Sequence, residues 1–297
     1  MTEKLTKCPV CDHAEFTLFM DVSDHFLTKE TFSIMECKGC GFKFINPRPD
    51  AGKIGSYYQS DAYISHDAKK MDPISRIYRL ARVFSIKMKF GIVNKYAAAG
   101  NILDIGCGTG EFLKYCQTQG FEIAGVEPSE KARHFALHEN KIPVVEKLED
   151  MLPGQRLFNC ITLWHVLEHL HDLNGSVEMI RKLLAPGGTL IVAVPNCNSW
   201  DAKNYRTFWA AYDVPRHLYH FTETSLKKLM TKHGFEIQHV LPQKLDAYYV
   251  SMLSEKYSSG SNNYLKALFN GFRSNMKAGM DKNGHSSQIF VLSRKMA

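Results

Sequence analysis

From Asn101 onward, short apolar runs alternate with stretches of helical periodicity, and this alternation restricts the possible folds more than any other feature of the sequence. The apolar runs cover residues 102–105, 123–126, 160–164 and 190–194. Helical stretches lie at residues 111–118, 129–139 and 176–184. Runs of this length, separated in this way, are typical of buried parallel strands joined by helices. The sequence therefore predicts an α/β fold with a doubly wound sheet, whose ligands bind at the carboxyl ends of the strands.

The first apolar run leads into a glycine-rich turn with the sequence Asp104-Ile105-Gly106-Cys107-Gly108-Thr109-Gly110. Glycines allow the backbone to turn sharply and to approach a ligand without a Cβ atom in the way. A dinucleotide fingerprint would need glycine where Glu111 stands. Asp104 at the end of the strand would repel a pyrophosphate but attract an ammonium group. The turn therefore fits a cationic, phosphate-free nucleoside better than a dinucleotide.

A second acidic residue, Glu127, ends the next predicted strand. A carboxylate at this position can accept hydrogen bonds from both hydroxyls of a ribose. Alternatively, Glu127 is a charge at the start of a helix, beside Ser129 as the N-cap residue. That alternative does not explain why Asp104 and Glu127 fall at the ends of adjacent predicted strands.

Four segments together resemble the class I S-adenosylmethionine-dependent methyltransferases, in the branch with small-molecule substrates. They are residues 103–110, 125–129, 158–170 and 184–194, and they include Leu-Trp-His-Val-Leu-Glu-His-Leu at 163–170 and Leu-Ala-Pro-Gly-Gly-Thr-Leu at 184–190. The resemblance covers residues 101 to about 240. It implies a Rossmann-like methyltransferase sheet, S-adenosylmethionine as the cofactor and S-adenosylhomocysteine as its product.

The resemblance also implies a set of cofactor-binding residues. Those at the methionine end would be Asp104, Gly106 and Gly108, in the turn that Gly110 completes. Glu127 would hold the ribose, and Leu148 and Glu149 would lie near the adenine. Trp164 and His165 would close over the cofactor at the fourth strand.

The N-terminus contains two C-x-x-C pairs, Cys8/Cys11 and Cys37/Cys40, and a glycine follows the second. Each pair turns tightly enough to direct two thiolates at one tetrahedral ion, so the sequence predicts a structural Zn²⁺ site. Disulfides are disfavoured in a reducing compartment, and coincidence is disfavoured by the repeated spacing. Similar cysteine-rich N-termini occur in some sugar C-methyltransferases and some ribosomal-RNA methyltransferases, so the motif does not identify the substrate.

Three regions follow from these patterns: a zinc-knuckle module (1–50), a linking helical region (51–100) and a methyltransferase domain (101–297). The last has insertions at about 197–221 and 246–283. The net charge of +7 keeps a nucleic-acid partner under consideration, through a basic helix within 75–96. No apolar run reaches membrane-spanning length, and no signal-peptide core precedes Cys8, so a cytoplasmic protein is expected.

The aromatic segment 204–221 follows the fifth strand, and we interpret it as a substrate-facing lid. It carries Asp213, Arg216, His217 and His220. Histidine can remove a proton near neutral pH, and arginine can hold an anionic group. Alternatively, Asp213 and Arg216 pair with each other, and the histidines have structural roles. We predict His217 as the base, because Arg216 beside it could orient a substrate.

The leading hypothesis is a methyltransferase that acts on oxygen or carbon of a small molecule, such as a sugar, lipid or secondary-metabolite precursor. An RNA methyltransferase that binds RNA through the zinc knuckle and the basic helix is the alternative. A third possibility is a non-catalytic protein that binds the cofactor and uses the knuckle for interaction.

Overall fold

The computed structural model describes residues 1–58, 73–152, 156–261, 263–280 and 284–295, with the backbone alone for 73–81. Its strands are β1 (Thr2–Glu3), β2 (Phe16–Ser23), β3 (Thr31–Cys37), β4 (Lys43–Ile45), β5 (Arg48–Pro49), β6 (Asn101–Ile105), β7 (Glu122–Val126), β8 (Val144–Val145), β9 (Phe158–Trp164), β10 (Leu184–Pro195), β11 (Tyr219–His220), β12 (Phe235–Pro242) and β13 (Ser287–Arg294).

The α-helices are α1 (Pro73–Tyr96), α2 (Glu111–Thr118), α3 (Glu130–His138), α4 (Leu173–Leu183), α5 (Trp200–Tyr205), α6 (Glu223–Lys232), α7 (Asp246–Ser259) and α8 (Tyr264–Met280). Short 3-10 turns cover Ile54–Tyr58, Leu148–Met151, Leu167–His169, Arg206–Phe208 and Ala210–Tyr212. Within the described residues, none of these helices combines the length and the apolar character that a bilayer crossing demands.

The described residues form two compact units. The first comprises 1–58, 167–173 and those described within 193–290, and the second comprises those within 73–166, 174–192 and 291–295. The predicted division into regions 1–50, 51–100 and 101–297 stays a prediction. Parts of it lie outside the described residues, namely 59–72 of the linking region, 262 and 281–283 of the second insertion, and 153–155 and 296–297 elsewhere in the methyltransferase domain.

The central sheet has seven strands in the order β12-β13-β10-β9-β6-β7-β8. Strand β6 pairs in parallel with β7 and β9, and β7 pairs in parallel with β8. The chain continues from β6 to β7 on one side of β6, and β9 later pairs with β6 on its other side. The strand order therefore reverses at β6, and doubly wound sheets bind their ligands at such a position. The predicted doubly wound sheet is confirmed.

Most predicted elements of this sheet lie where the sequence indicates them. Helix α2 coincides with the predicted stretch 111–118, and β7 begins one residue before the predicted run. Strand β10 differs more, because it begins at Leu184 and includes Pro186, Gly187 and Gly188. The preceding helix does end before that tripeptide, at Leu183, as the sequence predicts.

The first unit contains an antiparallel sheet in the order β11-β4-β3-β2. Residues 204–221 contribute to the core of this unit, which does not fit their interpretation as a lid. Aromatic side chains of that segment pack with Val22, Ile34 and Ile45 from the N-terminal strands, and they include Tyr205, Trp209 and Tyr212. Because burying large aromatic surfaces is strongly favourable, these side chains form hydrophobic core rather than the wall of an open cover.

Candidate functional site

The turn after β6 depends on glycine at two positions for different reasons. Gly106 has a φ of +72°, and a Cβ atom there would collide with the side chain of Val166. Gly108 has a φ of +56°, but a Cβ atom at this residue would meet nothing within 4 Å. Gly106 therefore allows close packing, whereas the backbone at Gly108 borders open space that a ligand can fill.

Asp104 lies in β6 directly before this turn and is 3% exposed. Its carboxylate accepts a hydrogen bond of 2.6 Å from the Thr162 hydroxyl. Burial raises the pKa of Asp104 from 3.8 to about 7, and the nearby Glu127 adds to this, although Thr162 and Lys89 act in the opposite direction. A cation bound beside Asp104 would stabilise its charged form, so this position favours a positively charged ligand.

Glu127 follows β7 and connects it to the glycine-rich turn. One carboxylate oxygen accepts a hydrogen bond from the Gly108 backbone N–H, and the other accepts one from Ser129, each at 2.8 Å. Burial raises the pKa of Glu127, while these two hydrogen bonds lower it. Ser129 is also the N-cap of α3, as the alternative interpretation proposed. Each carboxylate oxygen can still accept a further hydrogen bond, so this structural role does not prevent ligand binding.

Four further candidate cofactor-binding residues lie in the same compact unit as Asp104 and Glu127. Leu148 is buried at the start of a 3-10 turn that follows β8, and Glu149 beside it is exposed. Trp164 ends β9, and its ring contacts Phe112 edge-on at a centroid distance of 5.8 Å. Its buried Nε1 has no hydrogen-bond partner within the described part of the chain. His165, which follows, has a positive φ of 58°.

The four cysteine sulfurs of the N-terminal pairs lie within 4.8 Å of one another. Cys8 and Cys40 are 3.6 Å apart between sulfurs, and Cys11 and Cys37 are 3.5 Å apart. Zn–S bonds of about 2.3 Å in a tetrahedron require sulfur separations of about 3.8 Å. The sulfur arrangement therefore fits a single Zn²⁺ ion.

The imidazole of His217 lies between a backbone carbonyl and two carboxylates. Its Nδ1 is 2.8 Å from the carbonyl oxygen of Ala211, and since a carbonyl only accepts, Nδ1 carries the proton. Its Nε2 is then an acceptor, 4.0 Å from carboxylate oxygens of both Glu168 and Asp213. Nε2 is thus the ring nitrogen that faces the two carboxylates.

His220, the other candidate histidine of the segment, has a different environment. It is 4% exposed, and its ring lies edge-on to Tyr212 at 5.2 Å. Burial, helped by His217 and Lys43, lowers the pKa of His220 well below its usual value. The structure therefore favours a packing role for this histidine.

Arg216 and Asp213 form a buried ion-pair network, which matches the structural alternative for this pair. The Arg216 guanidinium, 1% exposed, donates at 2.7 Å to Asp213 and at 2.8 Å to Asp24. It also donates to the backbone carbonyl of Tyr57. Burial alone would raise the pKa of Asp24, but hydrogen bonds from Arg216 and from the backbone lower it to about 2. The expectation that Arg216 holds a substrate anion is wrong, because protein acceptors occupy its guanidinium.

Sequence reasoning missed two residues beside His217. Glu168 is fully buried, and the ring of His169 lies edge-on to that of His217 at 4.5 Å. Burial and His217 lower the pKa of His169 to about 4. Potential ligand atoms of Glu168, His169 and His217 lie within 4.8 Å of one another, so the three could also hold a metal ion. The signal was present in the motif 163–170, where Glu168 and His169 are adjacent polar residues in a mostly apolar stretch.

Comparison with known protein families identifies the family to which the chain belongs. A family profile described as a methyltransferase domain matches residues 77–240, more than half of the chain. The chain belongs to this family. This assignment agrees with the methyltransferase resemblance seen in the sequence.

Curated relatives include ubiquinone biosynthesis O-methyltransferases. The one from Chromobacterium violaceum is 28% identical over 38% of this chain and 52% of its own length. The one from Bradyrhizobium diazoefficiens is 24% identical over 72% of this chain and 89% of its own length. The first two relatives match over only about half of their own length (45% and 52%).

Solved structures with the same fold include a proposed sarcosine dimethylglycine methyltransferase from Galdieria sulphuraria. It has a TM-score of 0.51 at 11% identity and covers 74% of this chain and 88% of its own. A methyltransferase in complex with the Trm112 activator of Haloferax volcanii has a TM-score of 0.50 at 13% identity, covering 69% and 87%. At these identities the likeness concerns the fold alone.

Proposed function

We propose that this methyltransferase acts on oxygen or carbon of a small molecule. Buried Asp104 beside the glycine-rich turn carries the cofactor part of the proposal. The names of the curated relatives, which are O-methyltransferases of ubiquinone biosynthesis, support a small acceptor.

The cofactor-binding residues belong to one unit of the structure. Asp104 would bind the ammonium of the methionine moiety, and Glu127 would accept hydrogen bonds from the ribose hydroxyls. The backbone at Gly108 leaves space for the cofactor, whereas Gly106 and Gly110 allow the close packing that shapes the turn. Leu148 and Glu149 border the adenine, and Trp164 with His165 closes the site. Bound S-adenosylmethionine supplies an activated methyl group, and S-adenosylhomocysteine is the product.

His217 removes the proton of the acceptor. Its Nε2 is an acceptor because Nδ1 donates to Ala211, and the carboxylates of Glu168 and Asp213 stabilise the positive charge that results. Asp213 acts here as a positioning residue, since Arg216 holds it. His220 is less suited to this role, because burial of its ring disfavours the positive charge that a base acquires.

An acceptor screen tests the proposed substrate class. Purified protein with S-adenosylmethionine is incubated with small-molecule and RNA fractions of a cell extract, and S-adenosylhomocysteine is quantified. Product formation is expected with the small-molecule fraction. Product formation with RNA alone, together with salt-sensitive RNA binding, would instead favour the RNA methyltransferase. Formation with neither fraction would favour a non-catalytic cofactor-binding protein.

We also propose that residues 1–50 bind one structural Zn²⁺ through Cys8, Cys11, Cys37 and Cys40. The sulfur separations of 3.5 and 3.6 Å support this, because they suit four thiolates on one ion. Four sulfur ligands leave no open coordination position, so the ion stabilises the module rather than taking part in methyl transfer.

Substitution Cys37→Ser is expected to remove the metal. Wild-type protein purified without chelator should contain about one Zn²⁺ per chain, and Cys37→Ser should contain almost none, since three thiolates bind zinc far less tightly than four. Elemental analysis measures both, and limited proteolysis should show faster cleavage within 1–50. Cys197→Ser, outside the cluster, is the matched control and should retain zinc. Wild-type protein without metal would disprove the site.

A further inference from the structure

Helix α8 exposes its large apolar residues and buries its small ones. The buried side consists of Ala267, Asn270, Gly271 and Ser274. The opposite side contains large side chains that are 47–82% exposed: Leu265, Leu268, Phe269, Phe272 and Met276. A helix of a globular protein usually has the reverse pattern, with its large apolar residues facing the core. We call this outward side, with its five large apolar residues, the α8 face. An exposed apolar surface of this kind is typical of an interaction site.

Polar contacts hold the buried side of α8 in this orientation. Asn270 donates to the Tyr205 hydroxyl at 2.8 Å and to Glu255 at 3.0 Å. Ser274 donates to Asp201 at 2.9 Å. A Cβ atom at Gly271 would come within 2.9 Å of the Cα of Tyr248, so α7 and α8 pack closely here. Rotating the helix to bury its apolar side would break all of these buried contacts, so the exposure of the α8 face is built into the unit.

The apolar surface extends beyond α8 to the start of α7. Leu245 and Tyr249 are 45% and 57% exposed. A cavity of about 600 Å³ lies between the two helices, lined by Lys244, Leu245, Tyr248, Phe272, Met276 and His285. Leu245, Phe272 and Met276 belong both to the exposed residues and to the cavity lining, which also contains the polar Lys244, Asn275 and His285.

The charges of α8 indicate what covers this surface. The segment Tyr264–Met280 contains Lys266, Arg273 and Lys277 but no aspartate or glutamate. At 3.6 residues per turn, the three basic residues line one border of the α8 face. Within the protein, Lys266 pairs with Glu255 at 3.0 Å and the Arg273 guanidinium lies over the Trp200 ring. In a symmetric dimer through this face, such basic borders would meet without any acidic residue of α8 to neutralise them. A lipid surface with anionic headgroups complements both the apolar face and its basic border.

We propose that the α8 face docks on an anionic membrane surface. The 17-residue helix, about 25 Å long, lies in the plane of the interface with its apolar side chains among the acyl chains. Lys277 and Arg273 point to the headgroups from the border of the face. The docking surface includes none of the proposed cofactor residues, so the proposal does not depend on the acceptor.

Vesicle co-sedimentation of the full-length, zinc-loaded protein tests this proposal. We expect binding to vesicles that contain phosphatidylglycerol, weaker binding to pure phosphatidylcholine, and loss of binding at high salt. The double variant Phe269→Ser/Phe272→Ser should bind roughly tenfold or more weakly, because it removes two inserted aromatic side chains. Lys277→Glu should weaken binding to the anionic vesicles selectively.

Phe135→Ser is the matched control, since Phe135 is a 45% exposed phenylalanine on α3, outside the α8 face. It should bind vesicles as the wild type does. An unchanged circular-dichroism spectrum and Tm in the double variant would establish that it is folded. Absence of vesicle binding by the wild type, or equal binding by the double variant, would overturn the proposal. A dimer in solution that the double variant converts to a monomer would assign the face to a second copy of the chain instead.

Discussion

Replacing His217 by alanine is expected to lower the rate of methyl transfer by roughly 10²-fold or more, the usual size of a general-base contribution. Affinity for S-adenosylmethionine should stay unchanged, because His217 belongs to neither the glycine-rich turn nor the ribose position. The measurements are S-adenosylhomocysteine formation with the acceptor found in the screen, and calorimetric titration with the cofactor. Added imidazole should restore part of the lost rate, since a free base can then take the proton.

His220→Ala is the matched comparison, because it removes a histidine three residues away. We expect this variant to keep its turnover number but to unfold at a lower temperature, since it leaves a cavity beside Tyr212. If His220→Ala lost turnover while His217→Ala kept it, the role of base would pass to His220. Full activity in both variants would mean that neither histidine is the base.

Replacing Asp104 by asparagine is expected to weaken S-adenosylmethionine binding by about 10- to 100-fold, the loss of one charge-assisted hydrogen bond. The wild-type affinity should also fall as the pH drops below about 7, by roughly tenfold per unit, because cofactor binding then requires Asp104 to lose its proton. In Asp104→Asn this pH dependence should be absent.

The same substitution is expected to stabilise the cofactor-free protein at alkaline pH. The folded-state pKa of Asp104, about 7, lies above its usual value of 3.8, so its protonated form is favoured in the fold. The stability that this proton provides is present at acidic pH and is lost as the pH rises through 7. Thermal unfolding at pH 8 should therefore give a higher Tm for Asp104→Asn than for the wild type. A lower Tm with unchanged cofactor affinity would contradict the role of Asp104.

Local patterns were sufficient to predict the central sheet and the position of its acidic residues. Apolar runs indicate β6, β7 and β9, and a glycine-rich turn after β6 makes its end recognisable. Because parallel strands expose their carboxyl ends at the same edge, Asp104 and Glu127 could be placed near each other without coordinates.

The environment of the histidines could not be predicted in this way. The Arg216 network depends on Asp24, 192 positions earlier in the chain, and the pairing of such distant residues leaves no periodic pattern. His217 and His220 look equivalent in the sequence, but only His220 is fully surrounded by core side chains. The segment 246–283 could be recognised as an insertion, whereas the outward direction of its apolar residues depends on the polar contacts that orient α8.

Calorimetric titration of S-adenosylmethionine into the wild type, Asp104→Ala and Glu127→Ala tests the central claim most directly. We expect about one cofactor site per chain in the wild type. Both variants should keep the wild-type fold by circular dichroism, and each should lose on the order of 1.5–3 kcal/mol of binding free energy. Unchanged affinity in both variants would contradict the assignment of the cofactor to the ends of β6 and β7.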